Sequence, residues 1–311
     1  MPKVPKVREV PGMLRTRLEH LYRTFDHVDS ASDPVHMVRR YRAPDDREIA
    51  GFCAAGLAFG RVASVLASIE ALLTVMGPSP AAFVRGFDPA TDGHRLAALG
   101  HRWIRGKDLA ALVLILQRML REAGSIEQFF VAGDDPSTPD VGPALDVFSA
   151  RALETDLRPA YGSRRVSASG PARRTGVCFF FPRPSTGSAC KRLNLFLRWM
   201  VRRDAIDLGA WSQVSAARLI VPLDTHVIRL GRCLRLTRYA NPGWKMAAEI
   251  TAALRAIDPH DPVRYDFSLC HVGMMNACGY GRPQRDSRCP LRGLCAPHAR
   301  RGRCFSLKNV G

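Results

Sequence analysis

Two residues with reactive side chains stand at the predicted starts of two helices. In GSACKRLNLFLRWMV, residues 187–201, a glycine-containing turn leads into a helix that carries Lys191 in its first turn. In PLDTHVIRLGRCLRL, residues 222–236, Asp224 is the predicted N-cap of the following helix. A lysine amine can attack an electrophilic carbon, and a carboxylate can stabilise a developing cation or accept a proton. Lys191 and Asp224 are therefore candidates for a catalytic pair.

The place of Lys191 is unfavourable within its own helix. The N-terminal end of a helix dipole repels cations, so we expect an interaction outside the helix to fix a lysine there. The rest of each helix is amphipathic. The inward-facing residues are predicted to be Leu193, Phe196, Leu197 and Met200 in the first helix and Val227, Leu230 and Leu234 in the second.

The remaining chain is dominated by helical patterns. Apolar residues recur at helical spacing over residues 11–25, 47–75 and 107–121, and glycines at positions 51, 56 and 60 permit close helix packing in the second range. The only strand-like run covers residues 177–181, which is short. The sequence therefore predicts an all-α fold without an extended sheet.

Two segments have the composition of loops. Residues 133–143 are rich in Asp, Pro, Ser and Gly, and residues 158–174 are rich in Arg, Ser, Gly and Pro. The second segment has five arginines and no acid, so it is either a loop that lies along a phosphate backbone or a solvated insert.

The charge of the chain favours a polyanionic partner. Among 311 residues, 46 Lys and Arg face 28 Asp and Glu, which gives a formal net charge of +18. The hydrophobic fraction of 46% supports a folded core. No apolar run approaches the roughly 20 residues of a membrane span, and no signal core follows Met1. We expect a cytoplasmic, nucleoid-associated monomer that binds nucleic acid and not membranes.

The segment LDTHVIRLGRCLRL resembles the VDTHVxRVxxRLGL stretch of the helix-hairpin-helix (HhH-GPD) DNA glycosylases. Residues at matching or near-matching positions are Leu223, Asp224, Thr225, His226, Val227, Arg229, Leu234 and Leu236. The hairpin LPGVGxKTA of that superfamily is matched in part. Gly187 lies four residues before Lys191, as the first glycine of the hairpin does, but Ala189 replaces the second glycine.

The interval between the two candidate residues indicates which glycosylases of the superfamily the chain resembles. Thirty-three residues separate Lys191 from Asp224, which is longer than in endonuclease III and similar to archaeal 8-oxoguanine DNA glycosylases (AGOG). The chain also resembles a related, uncharacterised bacterial family. The shared segments are Ser32–Tyr41, Glu48–Arg61, His101–Trp103 and Cys190–Arg202.

This resemblance implies a two-lobed helical fold and an activity on double-stranded DNA that contains a damaged base. The implied regions are an N-terminal helical lobe (1–132), a Pro/Gly/Arg-rich linker or insertion (133–175), a helix-hairpin-helix catalytic region (176–265) and a cysteine-rich basic tail (266–311). The implied reaction is excision of an oxidised base, with 8-oxoguanine as the leading candidate. Strand scission would follow through a Schiff base at Lys191, and Asp224 would stabilise the developing charge. The alternative is a helix-hairpin-helix protein that binds damaged or structured DNA without catalysis.

Other residues are candidates for contacts with DNA. A target base must leave the stack, so aromatic and amide side chains are needed to hold it. The candidates for base binding are Trp103, Trp199, Trp211, Gln213 and His101. The candidates for binding the DNA strand are Gly187, Ser188, Arg192 and Arg229.

Five of the nine cysteines lie near the C-terminus and suggest a metal site. Cys278, Cys289, Cys295 and Cys304 are the candidate ligands, with Cys270 and Asp286 as alternatives for the fourth position. Endonuclease III relatives bind a [4Fe-4S] cluster with a similar final spacing, so that cluster is the expected cofactor, with zinc or no metal as alternatives. The dispersed Cys53, Cys178, Cys190 and Cys233 are predicted to be buried structural thiols.

Overall fold

In the computed structural model, α-helices form nearly all of the regular structure of the described residues. These residues are 12–27, 33–162, 166–167, 170–171, 176–274, 289–292 and 294. The prediction of a predominantly helical fold is confirmed. Within these ranges no single helix is long and apolar enough to cross a membrane; α4 and α5, defined below, meet that test only together, across a bend of 61°.

The helices of the described chain follow one another with short connections up to α10, and longer segments precede α11 and α12. Their bounds are α1 Gly12–Phe25, α2 Val35–Val38, α3 Pro44–Leu57, α4 Val62–Met76, α5 Pro80–Gly86, α6 Pro89–Ala97, α7 Gly106–Ala123, α8 Ile126–Val131, α9 Gly142–Ala152, α10 Arg158–Tyr161, α11 Lys191–Val201, α12 Thr225–Cys233, α13 Trp244–Arg255 and α14 Asp266–Met274. Short 3₁₀ helices cover Gly176–Phe180, Pro184–Thr186 and Ala216–Arg218.

The strands of the described chain form two antiparallel hairpins of minimal length. β1 (Gly100–His101) pairs with β2 (Ile104–Arg105), and β3 (Val166–Ser167) pairs with β4 (Gly170–Pro171). The strand-like run at 177–181 is not a strand, because most of it lies in the 3₁₀ helix Gly176–Phe180. Its apolar side chains pack into a helical core instead of pairing with a neighbouring strand.

Two predicted segments differ in detail from the structure. The helical pattern over residues 47–75 is divided into α3 and α4, because the chain turns between them at Gly60, whose φ is +109°. The predicted linker 133–175 contains α9, whose Leu145 and Phe148 are buried in the core. The start of this segment is also fixed, since Arg218 forms a two-bond ion pair with Asp134 at 2.6 and 2.7 Å. The predicted domain boundaries stay a prediction.

The contact between α3 and α11 positions Lys191. Gly51 and Gly56 of α3 permit close packing, as the sequence predicted for these two glycines: Gly51 faces α11, and Gly56 faces Phe180 of the 3₁₀ helix Gly176–Phe180. A Cβ added at Gly51 would lie 2.8 Å from Met200 Cε, and one added at Gly56 would lie 2.7 Å from the Phe180 ring. The helix α11 approaches α3 closely because Gly51 carries no side chain, and the Phe180 ring packs on α3 because Gly56 carries none.

We expect Gly56→Ala to destabilise the protein by about 1–3 kcal/mol, because the added methyl group would overlap the buried Phe180 ring. Gly93→Ala is the matched control. Gly93 also lies within a helix, α6, and a Cβ there meets nothing within 4 Å, so alanine should stabilise by about 0.5–1 kcal/mol. Thermal or urea unfolding of both variants measures the difference. Equal effects at the two positions would contradict a close contact between Gly56 of α3 and the Phe180 ring.

Candidate functional site

Lys191 is the first residue of α11 and follows a tight turn. Gly187 has φ +86° and Cys190 has φ +48°, so the chain reverses in the left-handed region immediately before the helix. The Lys191 ammonium donates a hydrogen bond of 3.3 Å to the carbonyl of Ala58, which caps the carboxyl end of α3. The negative end of the α3 dipole attracts a cation, and this explains a lysine that the dipole of α11 disfavours.

Arg192 is a second cation at the same place, and it is largely buried. Its guanidinium lies over the Phe179 ring, 3.1 Å from the centroid, and donates to the carbonyls of Phe179 and Gly56. No carboxylate pairs with it among the described residues, and burial lowers the pKa of Arg192 to about 9. A buried cation without an acid partner is costly, so a bound anion would stabilise this position.

An aromatic cluster lies beside these two cations. The rings of Phe59, Trp103 and Phe179 are in mutual contact, with centroid separations of 4.8 Å for Phe59–Trp103, 4.9 Å for Trp103–Phe179 and 4.7 Å for Phe59–Phe179. Phe59 directly follows Ala58, the hydrogen-bond partner of Lys191. Trp103 keeps 50% of its surface exposed, which is unusual for so large an aromatic residue.

Asp224 caps α12, as the sequence predicted. Its Oδ1 accepts hydrogen bonds from the backbone N–H groups of His226 at 2.9 Å and Val227 at 2.7 Å. Its Oδ2 accepts a hydrogen bond of 3.1 Å from the Cys270 thiol of α14, and the Asp224 side chain remains partly exposed. Burial, followed by the charge of Asp224, raises the pKa of the Cys270 thiol far above its usual value, so this thiol stays protonated and acts as a donor.

A buried ionic network joins the helices of Lys191 and Asp224. Arg198, two turns after Lys191 on α11, donates to Asp207 at 3.2 Å and to Asp266 at 2.6 Å. Asp266 lies one turn before Cys270 on α14, close enough for its charge to act on the thiol that donates to Asp224. Lys191 and Asp224 do not pair directly. They stand at two helix starts that are connected through Arg198, Asp266 and Cys270.

The Asp266 carboxyl is expected to make stability depend on pH. Burial, which outweighs the attraction of Arg198, raises the pKa of Asp266 to about 7, whereas an unfolded aspartate titrates near about 3.9. A raised folded-state pKa means that the native state binds the proton more tightly. This contribution to stability is present below about pH 4 and is lost as the pH rises to about 7.

Asp266→Asn should remove this dependence, because asparagine is uncharged and keeps an oxygen that accepts from Arg198. The free energy of unfolding of the variant should therefore rise relative to wild type between about pH 4 and pH 7. Asp156→Asn is the control, since the hydrogen bond from exposed Arg158 lowers the pKa of Asp156 to about 2 and places its titration below this range. Urea unfolding at several pH values measures both, and a constant difference for Asp266→Asn would contradict the assignment.

A comparison with protein families supports a single relationship. The family described as "Protein of unknown function (DUF2400)" matches residues 33–275, more than three quarters of the chain. The chain belongs to this family. A comparison with curated proteins found no match, and neither did a comparison with solved structures. The DUF2400 region includes Trp103, Lys191, Asp224 and Cys270 and ends before Cys278.

Three of the residues predicted to bind a base are buried. Trp199 is fully buried in the core of the DUF2400 region, and Trp211 is 5% exposed and donates its indole N–H to Glu48 at 2.6 Å. The two ring nitrogens of buried His101 lie 3.0 Å from Ser68 Oγ and 2.6 Å from the Phe59 carbonyl. None of these three side chains presents a free polar edge at the surface in this arrangement. Gln213 is exposed in the segment before α12.

The residues predicted to bind the DNA strand are placed around both helix starts. Gly187 is exposed, and its carbonyl accepts a hydrogen bond of 3.1 Å from the backbone N–H of Trp244. The Ser188 hydroxyl accepts from the Cys190 N–H at 3.2 Å. Arg229 of α12 donates to the carbonyl of Gly273 at the end of α14. Of the four, Arg192 alone contacts the aromatic cluster.

The proposed metal ligands are described only in part. Cys278, Cys295 and Cys304 lie outside the described residues, and so does Asp286; Cys289 is 8% exposed. Within the described ranges no group of three or more potential ligands is arranged around one point. Cys270, one alternative for the fourth ligand, is engaged with Asp224. The predicted burial of Cys53, Cys190 and Cys233 is confirmed, whereas Cys178 is partly exposed.

Several site residues were not singled out from the sequence. Phe179, Arg102 and the pair Arg198–Asp266 acquire their roles only through contacts between distant segments. The signal that could have found Phe179 is the run of three phenylalanines at 179–181, which is denser in rings than a short core segment needs. No local signal marks the contact between Cys270 and Asp224, which are 46 residues apart.

Proposed function

We propose that this chain is a base-excision DNA glycosylase with associated lyase activity, related to the HhH-GPD superfamily. Its proposed substrate is an oxidised base, with 8-oxoguanine as the leading candidate. One observation carries the proposal: the Lys191 ammonium donates to the carbonyl of Ala58 at the edge of the aromatic cluster, whose Trp103 ring is half exposed and whose neighbour Arg192 has no acid partner among the described residues. Aromatic rings stack on bases, and cations bind the phosphates beside them. An amine at that edge is placed to meet a nucleotide.

The reaction divides between the two helix starts. The Lys191 ammonium first loses a proton to water. The neutral amine then attacks C1′ of the damaged nucleotide, the C1′–base bond breaks, and the base leaves with a proton from the attacking amine. Opening of the sugar ring gives an imine between lysine and C1′. Loss of a C2′ proton then breaks the C3′–O bond and releases the 3′ phosphate. The Asp224 carboxylate stabilises the cationic sugar while the base departs.

The hydrogen bonds of Asp224 suit this role. Its Oδ1 is occupied by two backbone N–H groups, and its Oδ2 is oriented by the Cys270 thiol. These three donors fix the orientation of the carboxyl group at the start of α12. Asp224 as a residue is partly exposed, which supports access of a ligand to this helix start.

The proposed [4Fe-4S] cluster would lie in the tail and would be structural. Its ligands would be Cys278, Cys289, Cys295 and Cys304, and thiolates bind iron-sulfur clusters and zinc. The low exposure of Cys289 is compatible with a buried ligand. Elemental analysis of the purified chain for iron and zinc separates the two metals from the metal-free alternative.

The test of the proposed function uses DNA duplexes that each contain one defined lesion: 8-oxoguanine, uracil, an alkylated purine or an oxidised pyrimidine. Released base and strand breaks are measured, and borohydride is added to reduce any imine to a covalent complex. We expect base release and trapping with the 8-oxoguanine duplex.

Lys191→Arg keeps the positive charge at Ala58 but removes the nucleophile, so it should abolish trapping. Lys107→Arg, in the first turn of α7, is the matched control and should trap like wild type. Trapping that survives in Lys191→Arg would exclude Lys191 as the nucleophile.

A second candidate is a DNA-binding protein without catalysis. It is favoured by the structural partners that both residues already have: Lys191 caps α3, and Asp224 caps α12. The replacement of the second hairpin glycine by Ala189 points the same way. Tight, salt-sensitive binding to every lesion duplex with no released base would establish this candidate in place of the first.

A further inference from the structure

We propose that Trp103, at the tip of the β1–β2 hairpin, stacks on an unpaired nucleobase of a bound DNA strand. The inference rests on the proposed function for its choice of DNA, and it adds a binding site whose occupant is not the reacting sugar. It concerns undamaged bases as well as lesions. It can therefore fail or succeed independently of excision.

The hairpin holds its tip rigidly. Arg102 and Trp103 form the two-residue turn between the paired strands, and Arg102 adopts φ +53°, a left-handed conformation that is strained for a residue other than glycine. Ile104 is fully buried directly after the turn. The ring of His101, directly before it, bridges Ser68 of α4 and the Phe59 carbonyl.

Two aromatic rings pack against the indole of Trp103 and hold it in place. Phe59 packs against Trp103 at an interplanar angle of 33°, and Phe179 meets it edge-on at 85°. These contacts cover part of the indole, and half of the residue remains in solvent. A rigid ring loses little conformational entropy when a planar ligand stacks on it, so a base can bind without rearrangement of the site.

The surrounding charges select a nucleic acid over an apolar protein segment. Arg61, Arg102 and Arg105 are exposed, and none of them forms an ion pair within the part of the chain that the structure describes. The Arg102 guanidinium lies 5.6 Å from the Trp103 ring centroid. A strand of DNA supplies a base for the ring and phosphates for these cations, whereas a hydrocarbon side chain would leave the cations unmatched.

Tryptophan fluorescence gives a direct test, because Trp103 is the most exposed of the four tryptophans. Trp199 is fully buried, Trp211 is 5% exposed and Trp244 is partly buried. The full chain is titrated with an undamaged single-stranded oligonucleotide and with a strand of equal length and charge made of abasic sugars. We expect the oligonucleotide to quench the emission and the abasic strand to leave it unchanged.

Two variants and one control connect the signal to Trp103. Trp103→Phe should lose the quenching and retain affinity within about threefold, because phenylalanine also stacks. Trp103→Ala should weaken binding of the base-containing strand by about 5- to 100-fold and leave binding of the abasic strand unchanged. Met13→Ala, at a residue that is 66% exposed on α1, should change neither affinity.

Three results would overturn the proposal. The first is equal quenching by the abasic strand, and the second is unchanged affinity of Trp103→Ala for the base-containing strand. The third is a dimer of the free wild-type protein in sedimentation that Trp103→Ala dissolves, since the ring would then be covered by a second copy of the chain. Base release and imine trapping enter none of these measurements, so excision can be lost while stacking remains.

Discussion

Asp224→Asn should lower base release by about 10²- to 10⁴-fold and leave the stability of the protein nearly unchanged. Asparagine is as good an N-cap as aspartate, and its oxygen can accept from the His226 and Val227 N–H groups as Oδ1 does now. The amide nitrogen would then replace Oδ2, beside the Cys270 thiol. The helix keeps its cap, but the negative charge that would stabilise the sugar cation is lost.

A matched control uses the same substitution at a different cap. Asp88 is the N-cap of α6 and accepts from the Ala90 N–H at 2.9 Å, with no proposed chemistry nearby. Asp88→Asn should therefore alter neither base release nor stability appreciably. Base release is measured at saturating lesion duplex, and stability by thermal unfolding. If Asp224→Asn released base at the wild-type rate, Asp224 would be a helix cap alone.

The cap at Asp224 was predictable because its evidence is local. An N-cap is read from an aspartate directly before an amphipathic run, and the burial of Val227, Leu230 and Leu234 follows from the same period. The function of the cap was not local. The thiol that orients Oδ2 comes from α14, and no pattern within residues 222–236 indicates it.

Lys191 shows the same limit from the opposite direction. The sequence indicated that the dipole of α11 does not favour a lysine in the first turn and that a partner outside the helix is needed. The resolution lies at Ala58, 133 residues earlier, where α3 ends. The sequence could state that a partner was needed, but only the packing of α3 against α11 could identify it.

The aromatic residues were the least predictable part of the site. Trp103, Trp199 and Trp211 have the same chemistry and were equivalent candidates for base stacking, yet Trp103 alone of these is exposed. Residue type cannot separate them, because a tryptophan fills a core as well as it covers a base. Trp199 faces inward on a helix packed closely by α3, whereas Trp103 lies at the tip of a hairpin.

The second large effect is expected at Arg198. We expect Arg198→Met to destabilise the protein by about 3–5 kcal/mol, because it leaves the buried carboxylates of Asp207 and Asp266 without their shared cation. Methionine fills a similar volume, so lost packing contributes little. Arg40→Met is the control: Arg40 pairs with Glu70 through two hydrogen bonds at the surface, and its loss should cost less than about 1 kcal/mol. Urea unfolding at about pH 9, above the pKa of Asp266, measures both variants.

A second substitution tests whether the loss comes from the unpaired charge. In Arg198→Met combined with Asp266→Asn, the carboxylate that loses its ion-pair partner is replaced by a neutral amide, so part of the lost stability should return. Arg202 still pairs with Asp207, Asp204 and Asp261, so the remaining acids keep a cation. If the two substitutions were additive, Arg198 would act through packing. Recovery would show instead that Arg198 neutralises Asp266 of α14, the helix whose Cys270 orients Asp224.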